Sequence, residues 1–175
     1  HAAHRQLVIH RDLKPANVLV DAQGQAHLLD FGIAKLMDDT QREATVTSLT
    51  PAYAAPEQLL GEPVGTATDV FALGLLLMQL LSGRLPDERA SLALPQLVLR
   101  ARAPLQQRAS DLAAQQDLPY PAHTLRGDLD AIVAQAVRIE PEARYASALA
   151  LAEDIERFLQ AHPVRARRPD WRYRA

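Results

Sequence analysis

Cysteine is absent from the 175 residues, which excludes a disulfide scaffold, a thiolate zinc site and a cysteine nucleophile. Lysine is nearly absent as well: Lys14 and Lys35 stand against 17 arginines. With 31 alanines, that bias is what GC-rich coding produces, a pointer to a bacterial source. A strong charge of either sign is missing, and a formal net charge of −2 gives no reason to expect nucleic acid as the main partner. A membrane span needs ~20 apolar residues. The best candidate, residues 70–81, has 12 and includes Gln79. Residues 1–20 hold His, Arg, Asp and Lys among their apolar residues, so no secretory signal is visible. The lack of cysteine is compatible with a cytoplasmic location. Methionine occurs only at 37 and 78, and a chain that starts at His1 is expected to be a piece of a longer protein.

What is present suits one folded domain: 48% hydrophobic and 23% charged residues can support a core. Residues 70–81, apolar on every side and too short to span a bilayer, predict a helix buried in that core. Two short apolar runs, 17–20 and 26–29, flank the turn-forming residues 21–25 and predict a β-hairpin. Residues 33–50 show no sustained period and read as a long loop of the kind that is usually functional. Leu129, Ile132, Val133, Ala136 and Val137 mark one face of an amphipathic helix, with Asp128 near its start. Leu151, Ile155, Phe158 and Leu159 mark a second, with Ser147 as its N-cap. Residues 103–126 predict a connection holding one short helix. The last 13 residues, 163–175, carry five arginines against Asp170.

The chemistry concentrates near the start. Asp12 precedes the first strand of the hairpin, Asn17 opens it and Asp30 follows its second strand, so the fold brings two carboxylates and an amide oxygen to one end. Such a hard-oxygen set favours Mg²⁺, which is normally shared with phosphate oxygens. Lys14 adds a cation beside it. An acid, a metal site and a lysine together are the equipment for moving a phosphoryl group between oxygens. Each triplet alone, His10-Arg11-Asp12 or Asp30-Phe31-Gly32, is more often a turn than a site; the ordered combination is not accounted for by chance. A metal cluster from His1, His4 and His10 is disfavoured, because their spacing fits a helix end running into a loop.

At this point the sequence resembles the eukaryotic-type protein kinases, and most closely bacterial serine/threonine kinases. Residues 10–17 resemble the catalytic loop, Asp30-Phe31-Gly32 the metal-binding triplet and Ala55-Pro56-Glu57 the end of the activation segment. Residues 68–74 resemble the start of the central helix, and Arg144 the arginine that pairs with Glu57. The resemblance implies an α+β kinase-like fold, represented by its mainly helical large lobe with a short hairpin at the catalytic loop. Residues 1–162 would form that lobe and 163–175 a basic linker. Asp12 would accept the proton of the attacking hydroxyl, and Lys14 would neutralise charge on the transferred phosphate. Asn17 and Asp30 would hold Mg²⁺ on ATP, with Leu19 under the adenine ring. Thr50 would sit where the substrate residue docks. His10 and Phe31 would pack in the structural spine, Asp69 would bind the catalytic-loop backbone, and Glu57 would serve structure. Arg11 implies a loop phosphate, with Thr40, Thr45, Thr47 and Ser48 as candidates.

The expected activity is transfer of phosphate from ATP to protein Ser/Thr hydroxyls, Lys14-Pro15 favouring these over Tyr. The glycine-rich loop, strand lysine and helix glutamate of the small β lobe do not occur in these residues, since both lysines already have places further along. These residues alone are therefore expected not to bind ATP tightly or transfer phosphate. The alternative is a non-catalytic pseudokinase or docking module, against which the joint presence of Asp12, Lys14, Asn17 and Asp30 speaks. The basic tail reads as a solvated linker, or alternatively as a stretch attracted to anionic lipid.

Overall fold

A computed structural model describes residues 9–29 and 51–167. Near the start of the described residues lies the hairpin, β1 (Val18–Val20) and β2 (Ala26–Leu28), antiparallel with Val18 opposite Leu28 and Leu19 opposite His27. Its turn is built by Asp21, whose carboxylate accepts from the Gln23 and Gln25 amides at 3.0 and 2.8 Å and meets the His27 ring at 2.8 Å. That side-chain-to-backbone pairing is the local reason an Asp starts the turn. The His27 ring, and then the Gln25 amide, hold the Asp21 carboxyl below its ordinary range.

Seven helices follow among the described residues: α1 (Pro56–Leu60), α2 (Thr66–Ser82), α3 (Asp87–Ala90), α4 (Leu94–Leu99), α5 (Ala109–Ala113), α6 (Asp128–Ala136) and α7 (Ala148–Leu159). Helix α2 is the axis, against which α5, α6 and α7 pack. It stops at Gly83, where φ is +75° and a side chain would be strained. Gly74 lets α6 approach closely: a Cβ there would stand 2.7 Å from the Ala136 Cβ and 2.8 Å from the Val137 Cγ1. The face predicted for α6 is the buried one, with Leu129, Ile132, Val133, Ala136 and Val137 all in the interior. The Ser147 hydroxyl accepts from the Ala150 amide at 3.1 Å and caps α7. No helix among the described residues is long and apolar enough to cross a membrane.

Two expectations need correction. Helix α2 is not covered on all sides: Leu80 is 78% exposed, and Leu73, Leu76 and Leu77 line an open apolar groove of about 740 Å³ with Val18, Leu28 and Ile155. Hydrophobicity on every face marks surface that needs covering, and the described residues cover only part of it. The basic stretch is also not a free linker from residue 163. Val164 is buried in the main core cluster. The amides of Arg165 and Ala166 donate to the fully buried Asp154 carboxylate at 2.6 and 2.9 Å. A lone Val among Pro and Arg gives no periodic signal, so the sequence pattern ended the domain too early.

Candidate active site

The loop from Ile9 to Asn17 is built around Asp69, a buried residue near the start of α2. Its two carboxylate oxygens take the backbone amides of His10 (2.9 Å, Oδ2) and Arg11 (3.0 Å, Oδ1). Arg11 has φ +66°, a left-handed conformation that costs a non-glycine residue about 1–3 kcal/mol and persists only where surroundings over-determine it. The buried His10 ring fixes its own tautomer. Its Nδ1 faces the Asp12 amide, which can only donate (3.4 Å), so the proton sits on Nε2, which donates to the Leu29 carbonyl at 2.9 Å.

After this turn Leu13 is buried, and Pro15 opens a 3₁₀ turn, Pro15–Asn17, at a position that suits proline because its missing N–H is not needed there. The turn folds Asn17 back under Asp12. The Asn17 Nδ2 donates to the Asp12 carbonyl at 2.8 Å and approaches its Oδ2 at 3.3 Å. Lys14 Nζ stands 2.9 Å from the same Oδ2. Asp12, Lys14 and Asn17 thus share one carboxylate oxygen. Because the Asn17 nitrogen is turned to Asp12, its amide oxygen is the atom left for a cation. A hard oxygen of that kind fits Mg²⁺. The Asn17 carbonyl also accepts from the Leu29 amide at 2.9 Å, so the second strand ends against the same loop one residue before Asp30. Leu19 lies 56% exposed on the hairpin, outside the groove. Asp30, Phe31, Thr50 and the four loop hydroxyls lie outside the described residues, as do His1 and His4.

A second anchor holds the far side. Arg144 places all five of its N–H donors: on Glu57 Oε1 and Oε2 at 2.7 and 2.8 Å, and on the carbonyls of Ala67, Arg138 and Ile139. Thr68 Oγ1 adds a bond to Glu57 Oε1 at 2.7 Å, and the guanidinium lies over the Phe71 ring. Burial pushes the Glu57 carboxyl up, but the Arg144 hydrogen bonds and the Thr68 hydroxyl outweigh it and hold it below its ordinary range. Motif reading did not single out Gln58, which links the two halves: its side chain reaches the Arg11 carbonyl and the Ala55 amide. Tyr53, whose hydroxyl donates to Gln79 Oε1, was missed likewise. No periodic or motif signal marks either residue.

A family model described as the protein kinase domain matches residues 1–155. The chain belongs to the protein kinase family. Serine/threonine-protein kinase Pkn1 of Myxococcus xanthus is 40% identical over 167 residues, covering 92% of this chain and 22% of that protein. Serine/threonine-protein kinase PknB of Mycobacterium tuberculosis is 34% identical over 170 residues, covering 94% of this chain and 25% of that protein. The chain therefore spans about a quarter of the length of the curated relatives it matches. The fold is the kinase fold seen from its helical side, as expected, with the two-stranded hairpin as the sheet among the described residues.

Proposed function

We propose that this kinase-family chain supplies the phosphoryl-transfer half of a serine/threonine protein kinase, moving the γ-phosphate of ATP to Ser/Thr hydroxyls of a protein substrate. The observation that supports this best is the shared carboxylate oxygen: Lys14 at 2.9 Å and Asn17 at 3.3 Å on Asp12 Oδ2. With Oδ2 held from two sides, Oδ1 is the oxygen that orients the substrate hydroxyl and takes its proton. Lys14, on a flexible stem, turns from Asp12 to the transferred phosphate and offsets its charge. Asn17 and Asp30 would hold Mg²⁺, which would supply charge neutralisation on the phosphates. Positioning carries most of the rate in this chemistry. Leu19 offers an apolar seat for the adenine, and Thr50 is the residue the family resemblance assigns to the acceptor side. Such a domain works where ATP is, in the cytoplasm.

Residues 1–175 taken alone carry this half without a glycine-rich loop or strand lysine, and on this reading they bind ATP weakly and transfer no phosphate. The lipid reading of the tail has less to draw on than its composition implies. Arg165 pairs with Glu153 at 2.8 Å and Arg167 with Asp128 at 3.0 Å, so two of the five arginines face carboxylates of the lobe. The function is tested by offering the intact protein Mg²⁺, ATP and parallel Ser, Thr and Tyr peptides. Phosphate on the Ser or Thr peptide is the expected result. Transfer to Tyr alone, or to none of the three, would overturn the assignment.

A further inference from the structure

The peptide bond between Arg11 and Asp12 is gripped at both ends. Its carbonyl accepts from Gln58 Nε2 at 2.8 Å, and its N–H points to His10 Nδ1 at 3.4 Å. A peptide unit is planar, so fixing both ends fixes the plane from which the Asp12 side chain departs. The Gln58 carboxamide has no freedom to turn over: the Ala55 amide can only donate and meets Oε1 at 3.0 Å, while the Arg11 carbonyl can only accept and meets Nε2. The backbone carrying Gln58 is itself immobilised, because its neighbour Glu57 is locked to Arg144 and Thr68. Arg11 sits at φ +66°, and Asp69 restrains only the amide side of that strained residue. Gln58 restrains the other.

We propose that Gln58 is a positioning residue for phosphoryl transfer: it clamps the left-handed turn at Arg11 and thereby aims the Asp12 carboxylate at the acceptor hydroxyl. This rests on the kinase reading of Asp12. It also couples α1, at the end of the segment that follows Thr50, to the loop that carries Asp12.

Gln58→Glu separates this role from a merely structural one. The acid keeps an oxygen for the Ala55 amide, at a helix start where negative charge is favourable. It replaces the donor facing the Arg11 carbonyl by a second acceptor. In the intact protein, steady-state transfer to a Ser/Thr peptide is expected to lose about 10- to 100-fold in kcat, the scale of a misplaced reacting group. The KM for ATP should stay near that of the wild type. Lowering the pH should narrow the gap, because the protonated acid donates to the Arg11 carbonyl again. Gln58→Leu, which lacks both groups, should lose kcat without that recovery. A kcat within twofold of wild type for both variants, or a Gln58→Glu loss that is independent of pH, would overturn the proposal. An inactive wild-type protein would instead count against the kinase reading on which it rests.

Discussion

Replacing Arg144 with methionine removes five hydrogen bonds and one buried positive charge while keeping an unbranched apolar stem of similar reach. What remains is the Glu57 carboxylate, 4% exposed on its side-chain surface, with Thr68 Oγ1 as its side-chain donor, and three carbonyls at 67, 138 and 139 that have each lost the Arg144 donor. Breaking one member of a buried pair costs about 3–5 kcal/mol. The structure offers a route that limits the loss, because Glu57 can take up a proton. From an ordinary value of 4.5 to pH 7, that costs about 3.4 kcal/mol. The lost bonds to the three carbonyls add to it, so a loss of about 4 kcal/mol is expected. Urea unfolding followed by far-ultraviolet circular dichroism would show it as a fall of about 2 M in the midpoint, at a slope of about 2 kcal/mol per M. Adding Glu57→Gln to Arg144→Met removes the stranded charge and should recover a substantial part. A single-variant loss below about 1 kcal/mol, or a double variant no more stable than the single one, would refute the reasoning.

Three further outcomes follow from the same geometry. Because Glu57 is held below its ordinary range, its contribution is fully present above about pH 4.5 and is lost as pH falls through its depressed folded value; Arg144→Met should instead gain stability as pH drops from 7 toward that range, which urea titrations across pH would read. Gly74→Ala forces a methyl into the α2–α6 contact and should destabilise by about 1–3 kcal/mol despite alanine's better helix propensity, seen as a lower melting temperature. Tyr145→Phe removes the hydroxyl that donates to Asp154 Oδ2 at 2.8 Å and should cost about 1–2 kcal/mol, with faster amide exchange at Arg165 and Ala166, which share that carboxylate.

Features governed by neighbours in sequence were legible without coordinates. The hairpin around Asp21, the buried face of α6 and the Ser147 cap each have a local physical cause, and each lies within a residue or so of its predicted place. The approach of Asn17 to Asp12 was legible from the hairpin it opens, while the tight turn Pro15–Asn17 that brings them into contact was not. Pairs such as Glu57 and Arg144, 87 residues apart, leave no local pattern; only the resemblance to a family pointed to them. Gln58 was illegible for a different reason. Its value lies in two backbone groups it touches, and a polar residue in a short helix looks the same whether it faces water or a strained peptide. The exposed flank of α2 shows the limit of hydropathy, which registers that a surface is apolar but not what lies against it.

Phosphate transfer by this protein turns on Asp12. The most direct measurement is the rate of phosphate transfer from ATP to a Ser/Thr peptide by the intact protein, wild type beside Asp12→Asn. The amide keeps the shape and can still meet Lys14 and Asn17 through its oxygen, but it cannot take a proton. A fall of about 10²-fold or more in kcat, with ATP binding retained, is the expected result. Equal rates in the two proteins would contradict the central claim.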